Sequence, residues 1–136
     1  MIKNEKQYRI SKKRLAEMEK SIAANKTKAI AGSKEEAAVN SLLRITAGLK
    51  DEIKKYERLQ SKGLPLRRKI SIAQLPAVLI EYKIAKGFTQ KQYAEILGIK
   101  EQQLQRYEAE NYNSVSFGRL LSYIEKAAIK VNLAIE

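Results

Sequence analysis

One short segment, residues 100–106, is rich in side chains that can hydrogen-bond to the edges of nucleic-acid bases. The amide of Gln102 suits N6 and N7 of adenine, and the guanidinium of Arg106 can fork to O6 and N7 of guanine. These two residues are four positions apart, so on a helix they lie on the same face, one turn from each other. The polar residues of the segment are Lys100, Glu101, Gln102, Gln103, Gln105 and Arg106. Their chemistry favours recognition of bases.

Other kinds of chemistry are excluded by residues that the sequence lacks. Without Cys there is no thiolate nucleophile, no disulfide and no Cys-based zinc site. Without His the commonest general base and metal ligand are missing, which excludes Ser-His-Asp hydrolases and H-E-x-x-H metalloproteases. Neither a glycine-rich phosphate loop nor a convergent titratable cluster is evident. We therefore expect no enzymatic activity, no metal and no cofactor.

The charge is strongly positive and unevenly distributed along the chain. The 136 residues include 27 Lys and Arg against 15 Asp and Glu, a net charge of +12, which indicates an anionic partner. Residues 1–70 hold 19 basic and 8 acidic residues (+11), whereas residues 71–136 hold 8 and 7 (+1). Gly63 and Pro65 favour a helix end at this change. We predict domains at 1–63 and 71–136, joined by a short basic linker, residues 64–70.

The composition indicates a helical protein of the cytoplasm. Six Gly and two Pro are few for a chain of strands and tight turns. The first ten residues lack the apolar stretch of a secretory signal, and the most apolar run, residues 77–80, is too short to span a bilayer. These features predict a cytoplasmic location and no membrane partner.

The N-terminal domain is predicted to be a basic hairpin of two amphipathic helices. Ser11 can cap the first helix, with Ile10 and Leu15 as a hydrophobic staple, and Ser33 with Glu36 has the spacing of a capping box for the second. An apolar seam then alternates steps of three and four, which is typical of heptads. The seam consists of Val39, Leu42, Thr46, Leu49, Ile53 and Tyr56. Because two helices bury little area alone, we expect packing against a second copy or a partner; the alternative is a solvated hairpin whose lysines only keep it soluble.

The C-terminal domain is predicted to contain four short helices. The expected ranges are about 76–86, 90–97, 100–109 and 116–128. Thr89 can cap the second helix, and Gly98 allows a tight turn before the third. The side chains expected to face inward are Leu79, Tyr82, Ile84, Tyr93, Ala94, Leu97, Leu104, Tyr107, Phe117, Leu120, Leu121 and Ile124.

A family resemblance lies in residues 87–99, which read Gly-Phe-Thr-Gln-Lys-Gln-Tyr-Ala-Glu-Ile-Leu-Gly-Ile and are followed by Leu-Gln-Arg-Tyr-Glu at 104–108. A small Ala before a Gly turn lets two helices cross closely. The order of residues resembles the XRE, or lambda-repressor-like, DNA-binding family over residues 76–128. Phe88, Tyr93 and Ile99 depart from its usual Leu, Leu and Val, apolar for apolar. The resemblance implies an all-α chain: the hairpin plus a four- to five-helix DNA-binding domain.

The resemblance also implies roles for individual residues. Gln102 and Arg106 fall on base-reading positions of the family, with Glu101, Gln103 and Gln105 able to assist. Contacts to the DNA backbone are implied for Gln90, Lys91, Lys100, Asn111 and Asn113. Glu108 is implied to pair with a basic residue of the first helix of this domain, here Lys83, and to make no contact with DNA.

The C-terminal tail alternates apolar and polar residues. Ile129, Val131, Leu133 and Ile135 have the period of two that is typical of a strand. Because one strand cannot stand alone, we expect a short β-strand that pairs with its symmetry mate in a homodimer or with a bound partner. The fourth helix of the C-terminal domain and the hairpin are the other candidate dimer interfaces.

Two functions from different classes fit these features. The first is a transcriptional regulator that reads a palindromic operator on double-stranded DNA and represses its own operon. XRE proteins with an added segment resemble HigA-type antitoxins, so a cognate toxin held by the hairpin is a further expectation, and a phage-type repressor is a variant. The alternative is a protein-binding adaptor whose heptad helix recruits a partner. The near-neutral C-terminal half favours the adaptor, and the Gln and Arg face opposes it.

Overall fold

Helices make up all the regular secondary structure of the residues described. The structure is a computed structural model that describes residues 1–28, 30–65 and 67–136. Its helices are α1 (Glu5–Lys26), α2 (Lys34–Lys62), a 3-10 turn (Ile72–Gln74), α3 (Leu75–Lys86), α4 (Gln90–Leu97), α5 (Glu101–Ala109) and α6 (Phe117–Lys126). The predicted all-α class is confirmed. In the ranges just given, no helix has the length and apolar content needed to cross a membrane.

The chain divides into two compact units, Met1–Arg58 and Leu59–Glu136. The domain limits at 63 and 71 that the sequence suggests stay predictions. In the segment expected to be a linker, Leu66 lies outside the described residues, and Arg68 forms an ion pair with Glu81 of α3 at 2.6 Å. Because the Glu81 side chain is only 6% exposed, this pair ties the basic segment to the second unit.

The expected C-terminal strand is wrong. Residues 129–136 form neither helix nor strand. After α6 the chain turns away through Ala128, whose φ is 59°, and the Ile129 amide donates to the Ile124 carbonyl at 3.1 Å. A strand needs a neighbouring strand for its backbone N–H and C=O groups. The part of the chain that the structure describes offers none, so the alternation of side chains is not enough.

The first helix begins earlier than predicted. Asn4 caps α1 by accepting a hydrogen bond from the Gln7 amide at 2.8 Å, whereas Ser11 lies inside the helix. Ile10 is 57% exposed, so the staple expected with Leu15 does not form. The earlier start has a physical reason: Asn4 caps the helix seven positions before Ser11, and the added turns let Tyr8 join the half-buried stripe of the helix.

Contacts at the open end of the first unit show that α1 and α2 run antiparallel. The Tyr8 hydroxyl donates to Glu57 at 2.5 Å, and the Tyr8 and Tyr56 rings stack with centroids 4.8 Å apart. Further along, Lys50 lies 3.2 Å from Glu19. Burial raises the pKa of Tyr56 to about 12, and the nearby Glu5 carboxylate adds to this shift.

The heptad seam of α2 faces inward as its spacing predicts. Val39, Thr46, Ile53 and Tyr56 are buried, and Leu42 and Leu49 are half-buried. The Thr46 hydroxyl donates to the Leu43 carbonyl at 3.0 Å, so this polar group is satisfied within its own helix. No residue of α1 is fully buried. The first unit therefore has a thin core, as expected for two helices.

The second unit packs around a compact set of side chains. Leu79, Ile80, Tyr93, Leu97 and Leu104 are completely buried. The Tyr93 hydroxyl donates to the Leu79 carbonyl at 2.9 Å and so joins α4 to α3. Gly87 and Gly98 end α3 and α4 at a φ of 72°, a left-handed conformation that glycine adopts without a Cβ clash.

One prediction for α6 is wrong. Leu120 and Ile124 are buried as expected, but Phe117 is 55% exposed and Leu121 is 42% exposed. The buried set also includes Tyr123 and Ala127. At 3.6 residues per turn, the mean direction of the four buried side chains lies about 70° around the helix from Phe117 and about 110° from Leu121. The apolar arc of α6 is wider than the face that its own domain can cover.

A buried ion pair links the helices of the second unit. Lys83 Nζ of α3 lies 2.7 Å from Glu108 Oε1 of α5, and both side chains are 2% exposed. Gln90, the first residue of α4, donates from Nε2 to the same oxygen at 2.9 Å. One carboxylate oxygen therefore binds groups from two other helices.

Replacing Lys83 by Met should lower the free energy of unfolding by about 3–5 kcal/mol, because the Glu108 carboxylate would stay buried without its cation. Urea unfolding followed by circular dichroism measures the change. The matched control is Lys50→Met, which should cost much less because Lys50 and its partner Glu19 are both 50% exposed and water can solvate the remaining charge. Lys83→Met combined with Glu108→Leu should regain part of the loss. Equal stability of Lys83→Met and the parent chain would contradict this.

The second unit should fold without the first. A fragment of residues 59–136 retains every buried side chain from Leu75 to Ala127, so we expect the helical content and cooperative unfolding of a small domain. Circular dichroism with thermal unfolding tests this. A fragment that shows no cooperative transition would mean that the two units depend on each other for folding.

Candidate nucleic-acid interface

The helices α4 and α5 form two short helices joined by a tight turn. Thr89 caps α4 through a capping box with Gln92: the Gln92 amide donates to the Thr89 hydroxyl at 3.1 Å, and the Thr89 amide donates to Gln92 Oε1 at 3.0 Å. Ala94 is 2% exposed, so the small side chain lies where the helices meet. Lys126 Nζ of α6 lies 3.4 Å from the Leu97 carbonyl, which places a cation at the C-terminal end of α4.

The two faces of α5 differ sharply. Leu104, Tyr107 and Glu108 are buried and fix the helix to its domain. The opposite face is open to solvent, with Gln102 and Arg106 exposed one turn from each other. The other exposed polar residues of the segment 100–106 are Lys100, Glu101 and Gln105. Hydrogen-bond donors and acceptors therefore project from a helix whose rotation is fixed by its buried face.

Gln103 stands apart from the other glutamines of α5. Its side chain is half-buried, and its Nε2 donates to the Tyr107 hydroxyl at 2.7 Å. Burial raises the pKa of Tyr107, but hydrogen bonds from Gln103 and Arg119 favour the phenolate and hold the pKa below its usual value of 10.0. In this structure Gln103 orients an aromatic ring of the core.

Gln90 also has an internal partner. Its half-buried amide donates to Glu108, as described above, and this contact holds the side chain at the start of α4. A side-chain amide has two N–H donors, and this bond uses one of them. The next residue, Lys91, is exposed.

The loop after α5 presents two asparagines on a buried tyrosine. Asn111 and Asn113 are exposed, whereas Tyr112 between them is 3% exposed. The Tyr112 ring packs at a tilt against two others, with its centroid 6.0 Å from that of Tyr107 and 6.5 Å from that of Tyr123. Asn111 and Tyr112 have φ values of 54° and 58°, so two left-handed residues reverse the chain here. Burial raises the pKa of the Tyr112 hydroxyl, which has no hydrogen-bond partner in the described chain.

The sequence patterns do not single out Tyr112, although this residue anchors the loop. The available signal was an aromatic residue between two asparagines, since Asn tolerates the left-handed region and an apolar ring in a polar loop needs a place to pack. The ring contacts of Tyr112 fix where Asn111 and Asn113 lie. They do so without contributing a polar group to the surface.

The charge on this side of the second unit is nearly balanced. Lys91, Lys100 and Arg106 are exposed cations, and Glu101 is an exposed anion. Glu110 is half-buried and accepts a hydrogen bond from the Ser114 hydroxyl. Among the described residues, no group of three or more carboxylates is placed to hold a metal ion. The surface is built from hydrogen-bonding groups and carries little excess charge.

Comparison with known proteins agrees with this geometry. The family model named Helix-turn-helix matches residues 79–127, from the middle of α3 to the end of α6, which is a little over a third of the chain. Comparison with curated proteins and with solved structures gave no match. The matched family is a family of DNA-binding domains and not of enzymes. Residues 79–127 therefore form a helix-turn-helix domain of the XRE family, and this domain supports a DNA-binding regulator of that kind.

Proposed function

We propose that the protein is a sequence-specific transcriptional repressor of its own operon and that α5 reads the operator in the major groove of double-stranded DNA. The observation that carries this proposal is the exposed Gln102 and Arg106 pair on a helix whose other face is fixed by Leu104, Tyr107 and Glu108. A rigid helix with a bidentate amide and a guanidinium one turn apart suits base edges of neighbouring base pairs. The cytoplasmic location expected from the sequence belongs to the same proposal.

The remaining polar residues have supporting roles in this proposal. Glu101 and Gln105 flank the reading pair, and Gln103 contributes by holding Tyr107 in place. The backbone of the DNA is held by Gln90, Lys91, Lys100, Asn111 and Asn113. For Gln90 the contact to a phosphate uses the amide hydrogen that Glu108 does not accept.

We also propose that the reader is a homodimer joined through α6. Phe117 and Leu121 are one helical turn apart and strongly exposed, which is unusual for two large apolar side chains on one ridge. A second copy related by a two-fold axis would cover this ridge and place two α5 helices on the half-sites of a palindrome, about 34 Å apart or a multiple of that.

A second candidate function is favoured by exposed aliphatic side chains on the first unit. Leu43 and Ile45 of α2 are 47% and 50% exposed. Exposed apolar residues of this kind fit a protein partner, either the toxin of a toxin-antitoxin pair or a partner recruited by an adaptor. The test is expression from the native operon, followed by identification of any protein that copurifies. Loss of the copurifying protein in Leu43→Ser/Ile45→Ser supports a partner-binding role. If no protein copurifies with the parent chain, this role is contradicted.

Arg106→Ala should weaken binding to the true operator by about 1–3 kcal/mol and flatten discrimination at one base pair, because a fork to guanine is lost. Gln90→Ala should weaken binding to the operator and to scrambled DNA by the same factor, because it removes a contact to the DNA backbone. Fluorescence anisotropy on the upstream region of the gene, or on a duplex selected from a random pool, and on scrambled DNA measures both effects.

The matched control for Arg106→Ala is Arg44→Ala, which removes an exposed guanidinium from α2 and should leave discrimination unchanged. Thermal unfolding checks that Gln90→Ala remains folded, since this variant also loses its bond to Glu108. If Arg106→Ala weakens the selected and scrambled duplexes equally, Arg106 is a phosphate contact and its assignment to a base is wrong. If the parent chain binds the selected and scrambled duplexes with equal affinity, the proposal that it reads DNA sequence is wrong.

Phe117→Ser combined with Leu121→Ser should convert the dimer to a monomer and should lower affinity for a two-half-site duplex far more than for one half-site. Light scattering at micromolar concentration, with and without DNA, measures the mass. Leu43→Ser/Ile45→Ser removes two exposed aliphatic residues from α2 and serves as the control. A monomeric parent chain under both conditions, or a control that dissociates while the α6 variant does not, would contradict this interface.

A further inference from the structure

A line of cations occupies the outer face of α1. Lys6, Lys13 and Lys20 are exposed and follow one another at intervals of seven residues, so they lie within about 40° around the helix and about 10.5 Å apart along it. We refer to these three residues as the α1 lysine stripe. It lies opposite the half-buried side of α1, which consists of Tyr8, Ser11, Leu15, Met18 and Ile22. The stripe therefore points away from the core of the first unit.

The three lysines of the stripe lack the internal partners that Arg9 and Lys12 have. Arg9 pairs with Glu5 at 3.2 Å, and the Lys12 ammonium lies 5.3 Å from the centre of the Tyr8 ring. No carboxylate of the described chain lies within 4.0 Å of the Lys6, Lys13 or Lys20 ammonium groups. Glu17 is on the same side of the helix and offsets part of the charge, which still leaves a net positive line.

The distribution of charge along the chain indicates a function for the α1 lysine stripe. The helix α1 has seven Lys and Arg against three acidic residues, whereas residues 71–136, which contain the reading helix, have a net charge of +1. Binding to duplex DNA draws most of its sequence-independent free energy from cations that displace the counterions of phosphates. The exposed face of α5, with Glu101 beside Lys100 and Arg106, supplies few of them.

From these observations we propose that the α1 lysine stripe is a second, sequence-independent binding surface for the phosphate backbone of duplex DNA. The proposal rests on the proposed function, because it assumes that DNA is the polyanion that the chain meets. An anionic membrane fits less well. A helix that lies in a bilayer surface needs a broad exposed apolar face, and the outer face of α1 has one large apolar residue, Ile10.

The test compares Lys6→Gln/Lys13→Gln/Lys20→Gln with a control of equal charge, Lys34→Gln/Lys54→Gln/Lys55→Gln, whose three exposed lysines lie on α2. Glutamine is a good helix former, and circular dichroism confirms that both variants fold. Affinity for a scrambled duplex is measured in the full chain from about 50 to 200 mM salt. Each neutralised phosphate contributes about 0.9 to the slope of log K against log salt, so the stripe variant should lose about 2 to 3 from this slope.

The control variant should lose less than about 1 from the slope, and both variants should keep the parent ratio of operator to scrambled affinity. An unchanged slope in the stripe variant overturns the proposal, and so does an equal loss in the control, which would make the effect one of net charge alone. Binding of the parent chain to vesicles with anionic lipid, lost in the stripe variant while the DNA slope stays unchanged, would assign the stripe to a membrane and also overturn it. Failure of the proposed function is a separate result: the parent chain then shows no operator preference, whatever the slope.

Discussion

The second unit depends on the buried contact between Glu108 and Lys83. The Glu108 oxygen that lies 2.7 Å from Lys83 also accepts a hydrogen bond from Gln90 at 2.9 Å, so α3, α4 and α5 meet at one atom. A buried ion pair adds little net stability compared with apolar residues of the same size, but removal of one partner is costly. Its consequence here is geometric. With Glu108 held inside, Leu104 and Tyr107 also face inward, and Gln102 and Arg106 must face solvent.

The proposed reading surface depends on side chains that never reach it. Tyr112 packs against Tyr107 and Tyr123 and so places the asparagines on either side of it at the surface. Lys126 lies against the end of α4 beside the Gly98 turn. Such supports matter because hydrogen bonds to base edges discriminate only when donors and acceptors are held in fixed positions. The helix-turn-helix is thus a rigid frame with a small exposed face.

Much of the fold could be predicted from the sequence because its signals are local. Thr89, Gly87 and Gly98 set the ends of α3 and α4 through capping and left-handed backbone, which depend on a few neighbouring residues. The heptad of α2 predicted its buried side correctly, since the period of apolar residues follows from helix geometry. Predictions that depend on a partner distant in the chain were wrong. The alternation in residues 129–136 indicated a strand, but the described chain holds no neighbour to pair with it.

The sequence by itself determined the helical class, the ends of the helices around the turn, the imbalance of charge and the polar residues of α5. These properties follow from residue type and spacing along one helix. Only the tertiary structure decided which apolar residues of α6 are covered, that Gln103 and Gln90 have internal partners, and that Tyr112 anchors the loop. The physical reason is that burial and hydrogen bonding depend on which helices meet and at what rotation. That rotation is set by contacts such as Lys83 with Glu108, between residues 25 positions apart in the chain.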